Sequence, residues 1–215
     1  MSPTLLTGPE IPSASGITKR VVIFLHGLGS NGDDLISLAE LMDVPDTHFI
    51  SPNAPFAFDM APFGYKWFSL TQMNFALMLE GAKTAAPILN HFIDYQRDRF
   101  KLTDADIALV GFSQGTMMSL YIGLRRAKPL AGIVGYSGAL LGAELPSEIT
   151  AKPPVCLIHG TMDMVVPFAA MSTAEAALRA QNISVESHAR PGLGHGIDEQ
   201  GIDFANAFLR KSFGV

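Results

Sequence analysis

One serine in this chain is flanked by glycines in a pattern that can make its hydroxyl a nucleophile. The run Gly-Phe-Ser-Gln-Gly at 111–115 fits G-x-S-x-G, in which the serine occupies a strained turn between a strand and a helix. The glycines are needed because side chains there would collide with adjacent backbone. An apolar run at 107–110 precedes the motif and a helical segment follows it. The pattern predicts that Ser113 is a nucleophile, with an ordinary glycine-flanked turn as the alternative.

A serine hydroxyl is a weak nucleophile, so it needs a base within hydrogen-bond reach and a group that orients the base. In strand–turn–helix serine sites the acid and then the histidine follow the serine, which leaves His159, His188 and His195. His195 lies in the glycine-rich run 191–196, between the last predicted strand and the last predicted helix, and we expect it to be the base. His188 falls within a strand. His159 ends a strand, where a buried structural role is the simpler interpretation.

Two aspartates compete for the role of orienting His195. Asp163 follows the predicted strand that ends at His159, which places it at the same sheet edge as Ser113. Asp198 comes three residues after His195 at the start of a helix, where a capping role explains it better. We therefore predict Asp163 as the acid.

Attack on an ester carbonyl develops an oxyanion, which needs donors that are already in place. The backbone N–H of Gln114 is one candidate, because it lies at a helix N-terminus directly after the serine. The glycine-rich turn at 26–30 is expected to supply the second donor, the N–H of Leu28. A turn that only connects a strand to a helix is compatible with this role.

Short β-branched runs alternate with longer helical segments, which predicts a mostly parallel sheet with helices on both faces, an α/β domain. Residues 1–18 are interpreted as an N-terminal arm, either loose or forming short edge structure, and 19–215 as one domain. Residues 52–72 are expected to be irregular. The predicted strands are 20–25, 48–51, 107–110, 130–135, 155–159 and 184–189. The predicted helices run from Asp33 or Asp34 to 42, and over 82–100, 114–126, 168–181 and 198–213.

Composition excludes several classes of protein. Of 215 residues, 48% are hydrophobic and 16% are charged, which favours a compact domain over disorder. The net charge of -5 gives no electrostatic reason to expect a nucleic-acid partner. A single cysteine, Cys156, permits neither an intrachain disulfide nor a cysteine-based metal site. No metal or other cofactor is expected.

The location of the protein is predicted from its lack of recognisable targeting and membrane-spanning segments. Residues 1–16 have no basic segment ahead of an apolar core, and no apolar run is long enough to span a membrane. A cytoplasmic protein without a stable membrane anchor is therefore expected. A homodimer is left open as an alternative to a monomer.

These motifs together resemble the carboxylesterase/phospholipase family of α/β-hydrolases, which includes the acyl-protein thioesterases. The resemblance rests on the runs at 25–29, 111–115, 159–167 and 194–196. The stretch 31–34 and the aromatic stretch 56–68 are more similar to the bacterial carboxylesterase branch. It implies a small hydrolase without a large cap domain, acting on carboxylic esters and sometimes on thioesters or lysophospholipids. It also implies that Trp67 and Phe68 border an acyl pocket.

The leading hypothesis is a serine carboxylesterase for small to medium acyl chains. A thioesterase or lysophospholipase with the same triad is the nearer alternative, and a non-catalytic binding protein on the same scaffold is the remote one. Met117 is expected to belong to the core. The apolar residues expected to contact substrate are Trp67, Phe68, Met73, Met164 and Val166.

Overall fold

The computed structural model describes residues 5–61, 63–70 and 74–215 and has a seven-stranded sheet at its centre. The sheet order is β1-β3-β2-β6-β7-β8-β9, and every pairing is parallel except that of β1 with β3. A separate antiparallel pair is formed by β4 and β5. The strands are β1 (Glu10–Ile11), β2 (Arg20–Leu25), β3 (Thr47–Ile50), β4 (Phe56–Ala57), β5 (Tyr65–Lys66), β6 (Ile107–Phe112), β7 (Gly132–Tyr136), β8 (Val155–Gly160) and β9 (Val185–Arg190).

Helices cover both faces of the sheet because successive strand residues point to opposite sides. Val21, Ile23 and Leu25 pack with α2 and α3, whereas Val22 and Phe24 pack with α1 and α5. The predicted fold class is therefore confirmed, and the described residues contain no large cap domain. The helices are α1 (Gly32–Ile36), α2 (Phe75–Phe100), α3 (Gln114–Gly123), α4 (Ala169–Ala180) and α5 (Glu199–Phe213).

All six predicted strands are present, but the predicted start of α2 near residue 82 is wrong. The helix begins at Phe75, because the side chain of Asn74 accepts hydrogen bonds from the N–H groups of Ala76 (2.9 Å) and Leu77 (3.3 Å). Pro87 consequently lies inside the helix rather than in its first turn. Although α2 has 26 residues, neither it nor any other described helix is long and apolar enough to cross a membrane.

The other boundary errors also have identifiable structural causes. Asn31, not Asp33 or Asp34, caps α1, and the α-helix ends at Ile36 before a 3-10 turn. The third helix ends at Gly123 rather than near residue 126, because Leu124 turns its carbonyl to the N–H groups at 150 and 151. The stretch 52–72, expected to be irregular, includes the β4–β5 pair.

An ionic cluster attaches the edge strand β1 to the rest of the fold. Glu10 accepts two hydrogen bonds from Arg99 of α2, at 2.7 and 2.9 Å, and lies 3.2 Å from His48 Nε2 of β3. The Arg99 guanidinium lowers the pKa of Glu10 to about 2, with a smaller contribution from His48 that works against burial. The ionised carboxylate therefore stabilises the folded state.

This cluster predicts a pH-dependent effect of Glu10→Gln. Because the folded-state pKa is lowered, the contribution is complete above the ordinary value of 4.5 and is lost as pH falls towards 2. We expect the variant to lose up to about 1 kcal/mol of unfolding free energy at pH 7, since the pair is partly exposed. Urea titrations at pH 7, 5, 4 and 3 would measure the difference, with the exposed Glu144→Gln as the control. A difference that stays constant down to pH 3 would contradict the assignment.

Candidate active site

Ser113 occupies a sharp turn between β6 and α3. Its backbone has φ 53° and ψ -114°, a conformation that a residue with a side chain adopts only under strain. The turn lets the backbone of α3 pack directly against the backbone of the sheet. A Cβ placed on Gly111 would lie 2.5 Å from backbone atoms of Gly115, and one placed on Gly115 would lie 1.8 Å from the carbonyl oxygen of Leu25. The glycines of the motif are therefore required by the packing.

Asp163 and His195 are hydrogen-bonded to each other. Asp163 Oδ2 lies 2.7 Å from His195 Nδ1, and Asp163 Oδ1 accepts the N–H groups of Val165 (2.8 Å) and Val166 (2.9 Å). Burial alone would raise the pKa of Asp163, but the hydrogen bonds from His195, Val166 and Val165 outweigh it and the pKa is lowered. The carboxylate is thus ionised at neutral pH and can hold the imidazole in one orientation.

The topology brings this pair to the turn that carries Ser113. Strands β6, β8 and β9 are parallel, so the loops after them meet at one edge of the sheet. The His195 ring packs on Phe112, the residue before Ser113, with 4.8 Å between ring centroids. The competing carboxylate, Asp198, instead caps α5 by accepting the N–H of Gly201. The Asp163–His195 pair therefore lies at the sheet edge that carries Ser113, next to the residue that precedes it.

The glycine-rich turn after β2 lies beside Ser113 and is fixed by β5. A Cβ placed on Gly27 would lie 3.5 Å from Ser113 Cβ. Gly29 N–H donates to the Tyr65 carbonyl at 2.8 Å, and Tyr65 N–H donates to the Ser30 carbonyl at 2.7 Å. Within the described part of the chain, the N–H of Leu28 has no hydrogen-bond acceptor, and neither has that of Gln114. Both predicted donors are therefore free to bind an oxyanion.

The side chain of Gln114 has a role that the sequence analysis missed. It is fully buried, accepts the Trp67 N–H at 2.8 Å and donates to the Phe68 carbonyl at 2.8 Å. Trp67 Nε1 in turn donates to the carbonyl oxygen of His26 at 3.0 Å. The sequence signal for this role was a polar side chain at the first position of a helix that is otherwise buried. These bonds connect the serine turn, the β5 segment and the turn after β2.

His26 has a structural role in the turn after β2. Its Nδ1 donates to the carbonyl of Gly27 at 2.7 Å, and its Nε2 accepts the N–H of Ala54 at 3.0 Å. One ring nitrogen donates and the other accepts, so this geometry requires the neutral imidazole. Burial lowers the pKa of His26 and favours the same form. The ring therefore shapes the turn that carries Leu28.

The residues expected to contact substrate differ in how far they are exposed to solvent. Trp67, Phe68 and Val166 are buried in the core, whereas Met164 is 93% exposed. Met73 lies outside the described residues. Met117 belongs to the core, as expected. Substrate contact by these side chains stays a prediction.

An apolar cavity that the sequence analysis did not identify lies next to Leu28. Its volume is about 110 Å³, and an ion pair between Lys66 and Asp59 forms part of its lining. The remaining lining residues are Phe58, Met60, Ser69 and Leu70. It adjoins Leu28, whose N–H is a predicted oxyanion donor.

Neither a cluster of metal-binding side chains nor a reactive cysteine is found among the described residues. No group of three or more His, Cys, Asp or Glu side chains among them could hold a metal ion. Cys156 is buried, and burial raises the pKa of its thiol to about 12. It therefore supplies no reactive thiolate at neutral pH.

Comparison with known proteins agrees with this geometry. The phospholipase/carboxylesterase family profile matches residues 6–213. The chain belongs to the phospholipase/carboxylesterase family. A crystal structure of esterase PE8 has 45% identity and a TM-score of 0.93, with 97% of this chain and 99% of that one covered. This phospholipase/carboxylesterase family member is a carboxylic ester hydrolase with the α/β-hydrolase fold, as the resemblance implied.

Curated relatives of this family member are named acyl-protein thioesterase 1. That of Gibberella zeae is 30% identical over 220 residues, which cover 93% of each chain. That of Schizosaccharomyces pombe is 33% identical over 207 residues, covering 90% of this chain and 91% of the relative. The similarity extends over nearly the whole length of these proteins.

The close contact of α3 with β2 predicts that Gly115→Ala is strongly destabilising. The added methyl group has no space beside Leu25, so the helix must move away from the sheet at a cost of about 2 kcal/mol or more. Gly196→Ala is the matched control, because a Cβ there meets no atom within 4 Å, and a change within about 0.5 kcal/mol is expected. Urea unfolding measures both variants. Equal stability of Gly115→Ala and the wild type would show that the contact is not as tight as described.

Proposed function

We propose that the protein is a serine carboxylesterase that hydrolyses esters of small to medium acyl chains through an acyl-enzyme intermediate. The observation that carries this proposal is the 2.7 Å contact between Asp163 Oδ2 and His195 Nδ1, with the imidazole packed beside the Ser113 turn. An ionised, buried carboxylate behind a histidine that neighbours a strained serine is the arrangement that activates a hydroxyl.

In the proposed reaction, Ser113 Oγ attacks the ester carbonyl carbon while its proton passes to His195 Nε2. Asp163 stabilises the imidazolium, and the N–H groups of Leu28 and Gln114 bind the oxyanion. When the tetrahedral intermediate collapses, the alkoxide leaves with the proton from His195 and the acyl group stays on Ser113. Water then attacks the acyl-enzyme, with His195 acting again as base and acid, and the carboxylic acid is released.

Replacing the nucleophile tests this assignment. We expect Ser113→Ala to lower kcat for p-nitrophenyl butyrate by about 10⁴-fold or more, because no other group forms the acyl-enzyme. The wild type should react with one fluorophosphonate per chain, mapped to Ser113, and the variant should not be labelled. Ser172→Ala, an exposed serine on α4, is the control and should keep wild-type turnover. Full turnover by folded Ser113→Ala would refute the proposed nucleophile.

The cavity beside Leu28 supports the proposed acyl size. Its 110 Å³ is less than the roughly 150 Å³ of an apolar cavity that holds a benzene molecule. An acyl chain of about four carbons matches that volume, and a long-chain lipid exceeds it. Leu70 forms part of the wall, so shortening it enlarges the space.

The chain-length profile is therefore predicted to depend on Leu70. For p-nitrophenyl esters from acetate to palmitate, we expect kcat/KM to be highest near butyrate and to decline for chains beyond about eight carbons. Leu70→Ala should move the maximum towards longer chains. Leu77→Ala alters a half-exposed residue of α2 that does not line the cavity, and should leave the maximum in place. A wild-type maximum at palmitate, or no shift in Leu70→Ala, would assign acyl binding to another surface.

Thioester hydrolysis is a second candidate function, because the relatives from Gibberella zeae and Schizosaccharomyces pombe carry the name acyl-protein thioesterase. The same triad can attack either carbonyl, so the triad does not discriminate between them. Comparing kcat/KM for an ester and a thioester of the same acyl chain decides the preference.

A small-molecule ester remains our proposed substrate, and the net charge of -5 gives no support to a nucleic-acid partner. We also propose a cytoplasmic location, with which the one free, buried cysteine is compatible.

A further inference from the structure

A second histidine lies against the carboxylate proposed to orient His195. His159 is the penultimate residue of β8 and is 2% exposed. Its Nε2 lies 2.9 Å from the carbonyl oxygen of Val166 and 3.2 Å from Asp163 Oδ2. A carbonyl oxygen can only accept, so Nε2 carries a proton and donates it to Val166, while Asp163 Oδ2 lies beside this hydrogen bond.

The carboxylate of Asp163 accepts three hydrogen bonds. His159 contacts both this carboxylate and the carbonyl of Val166. Oδ1 accepts the N–H groups of Val165 and Val166, whereas Oδ2 accepts His195 Nδ1 and faces His159 Nε2. Val166 therefore donates to Asp163 through its N–H and accepts from His159 through its carbonyl. The Asp163 side chain has no exposed surface, so water cannot replace the hydrogen bonds that it accepts from Val165, Val166 and His195 if the turn moves.

The His159 ring is itself held in place. It packs edge-on against Phe168, with 5.9 Å between the centroids and 83° between the planes. The imidazole thus presents a fixed N–H to the turn at 163–166, whereas an apolar side chain of similar size would fill the space without donating. This difference separates a positioning role from simple packing.

We propose that His159 is a positioning residue for catalysis, which holds the 163–166 turn and directs Asp163 Oδ2 towards His195. The inference rests on the proposed function of Ser113, His195 and Asp163. His159 touches neither substrate nor the reacting atoms, so its effect passes through the orientation of the His195 imidazole. Loss of that orientation slows the chemical step and leaves substrate binding unchanged.

The test compares His159→Leu, His159→Gln and His159→Asn with the wild type on p-nitrophenyl butyrate. We expect His159→Leu to lower kcat by about 10-fold to 100-fold with KM changed by less than about twofold. The glutamine amide reaches the position of Nε2 and should restore most of kcat, whereas the shorter asparagine amide should not. His188→Gln is the matched control, because His188 stacks on Phe204 of α5 and should keep wild-type kcat.

Two further measurements separate positioning from folding and from failure of the proposed function. The low-field NMR resonance of the proton between Asp163 and His195 should change in His159→Leu and be retained in His159→Gln. Wild-type kcat in folded His159→Leu, alongside inactive Ser113→Ala, would overturn this inference alone. Retained activity in Ser113→Ala would instead overturn the proposed function. If His159→Leu does not fold, equal kcat in the glutamine and asparagine variants overturns the inference.

Discussion

The contact between α3 and the sheet is the constraint on which the site depends. Because Gly111 and Gly115 lack side chains, the helix backbone packs directly against β2 and β6, and the turn between them closes over one residue. Ser113 therefore adopts a left-handed φ that the surrounding packing enforces. The same packing places the free N–H of Gln114 at the start of the helix. The proposed nucleophile and one proposed oxyanion donor are thus positioned by the same structural requirement.

The remaining groups reach that turn because the strands are parallel. Asp163 follows β8 and His195 follows β9, so both loops emerge at the edge where Ser113 lies. The donor set around Asp163 explains why a buried carboxyl stays ionised there, since its hydrogen bonds outweigh the cost of burial. The strand order brings the two loops close to Ser113, and the hydrogen bonds of Asp163 orient the His195 imidazole. Each of these is insufficient alone.

The sequence predicted those parts of the fold that local pattern determines. Continuous apolar runs identified the buried strands, and the glycine spacing identified the turn at Ser113, because both depend on neighbouring residues. The start of α2 was misplaced because Asn74 precedes a weakly patterned segment whose burial depends on the rest of the fold. The burial of Trp67 could not be predicted, since it depends on partners 41 and 47 residues away in the chain, His26 and Gln114. Likewise, the pairing of β4 with β5 could not be predicted, because the residues of these two strands show no pattern that indicates it.

Because Tyr65 is hydrogen-bonded to the turn after β2, the position of one proposed oxyanion donor, the N–H of Leu28, depends on a two-stranded ribbon outside the main sheet. A two-stranded ribbon is only marginally stable by itself, so we expect this pair to open at a lower free energy than the core strands. Its opening would release Leu28 while leaving the sheet, Ser113 and the Asp163–His195 pair intact. Heat inactivation of this enzyme should therefore begin as a local, reversible event that precedes melting of the core. We therefore expect the thermostability of activity and the thermostability of the fold to differ in this molecule, so that improving one need not improve the other.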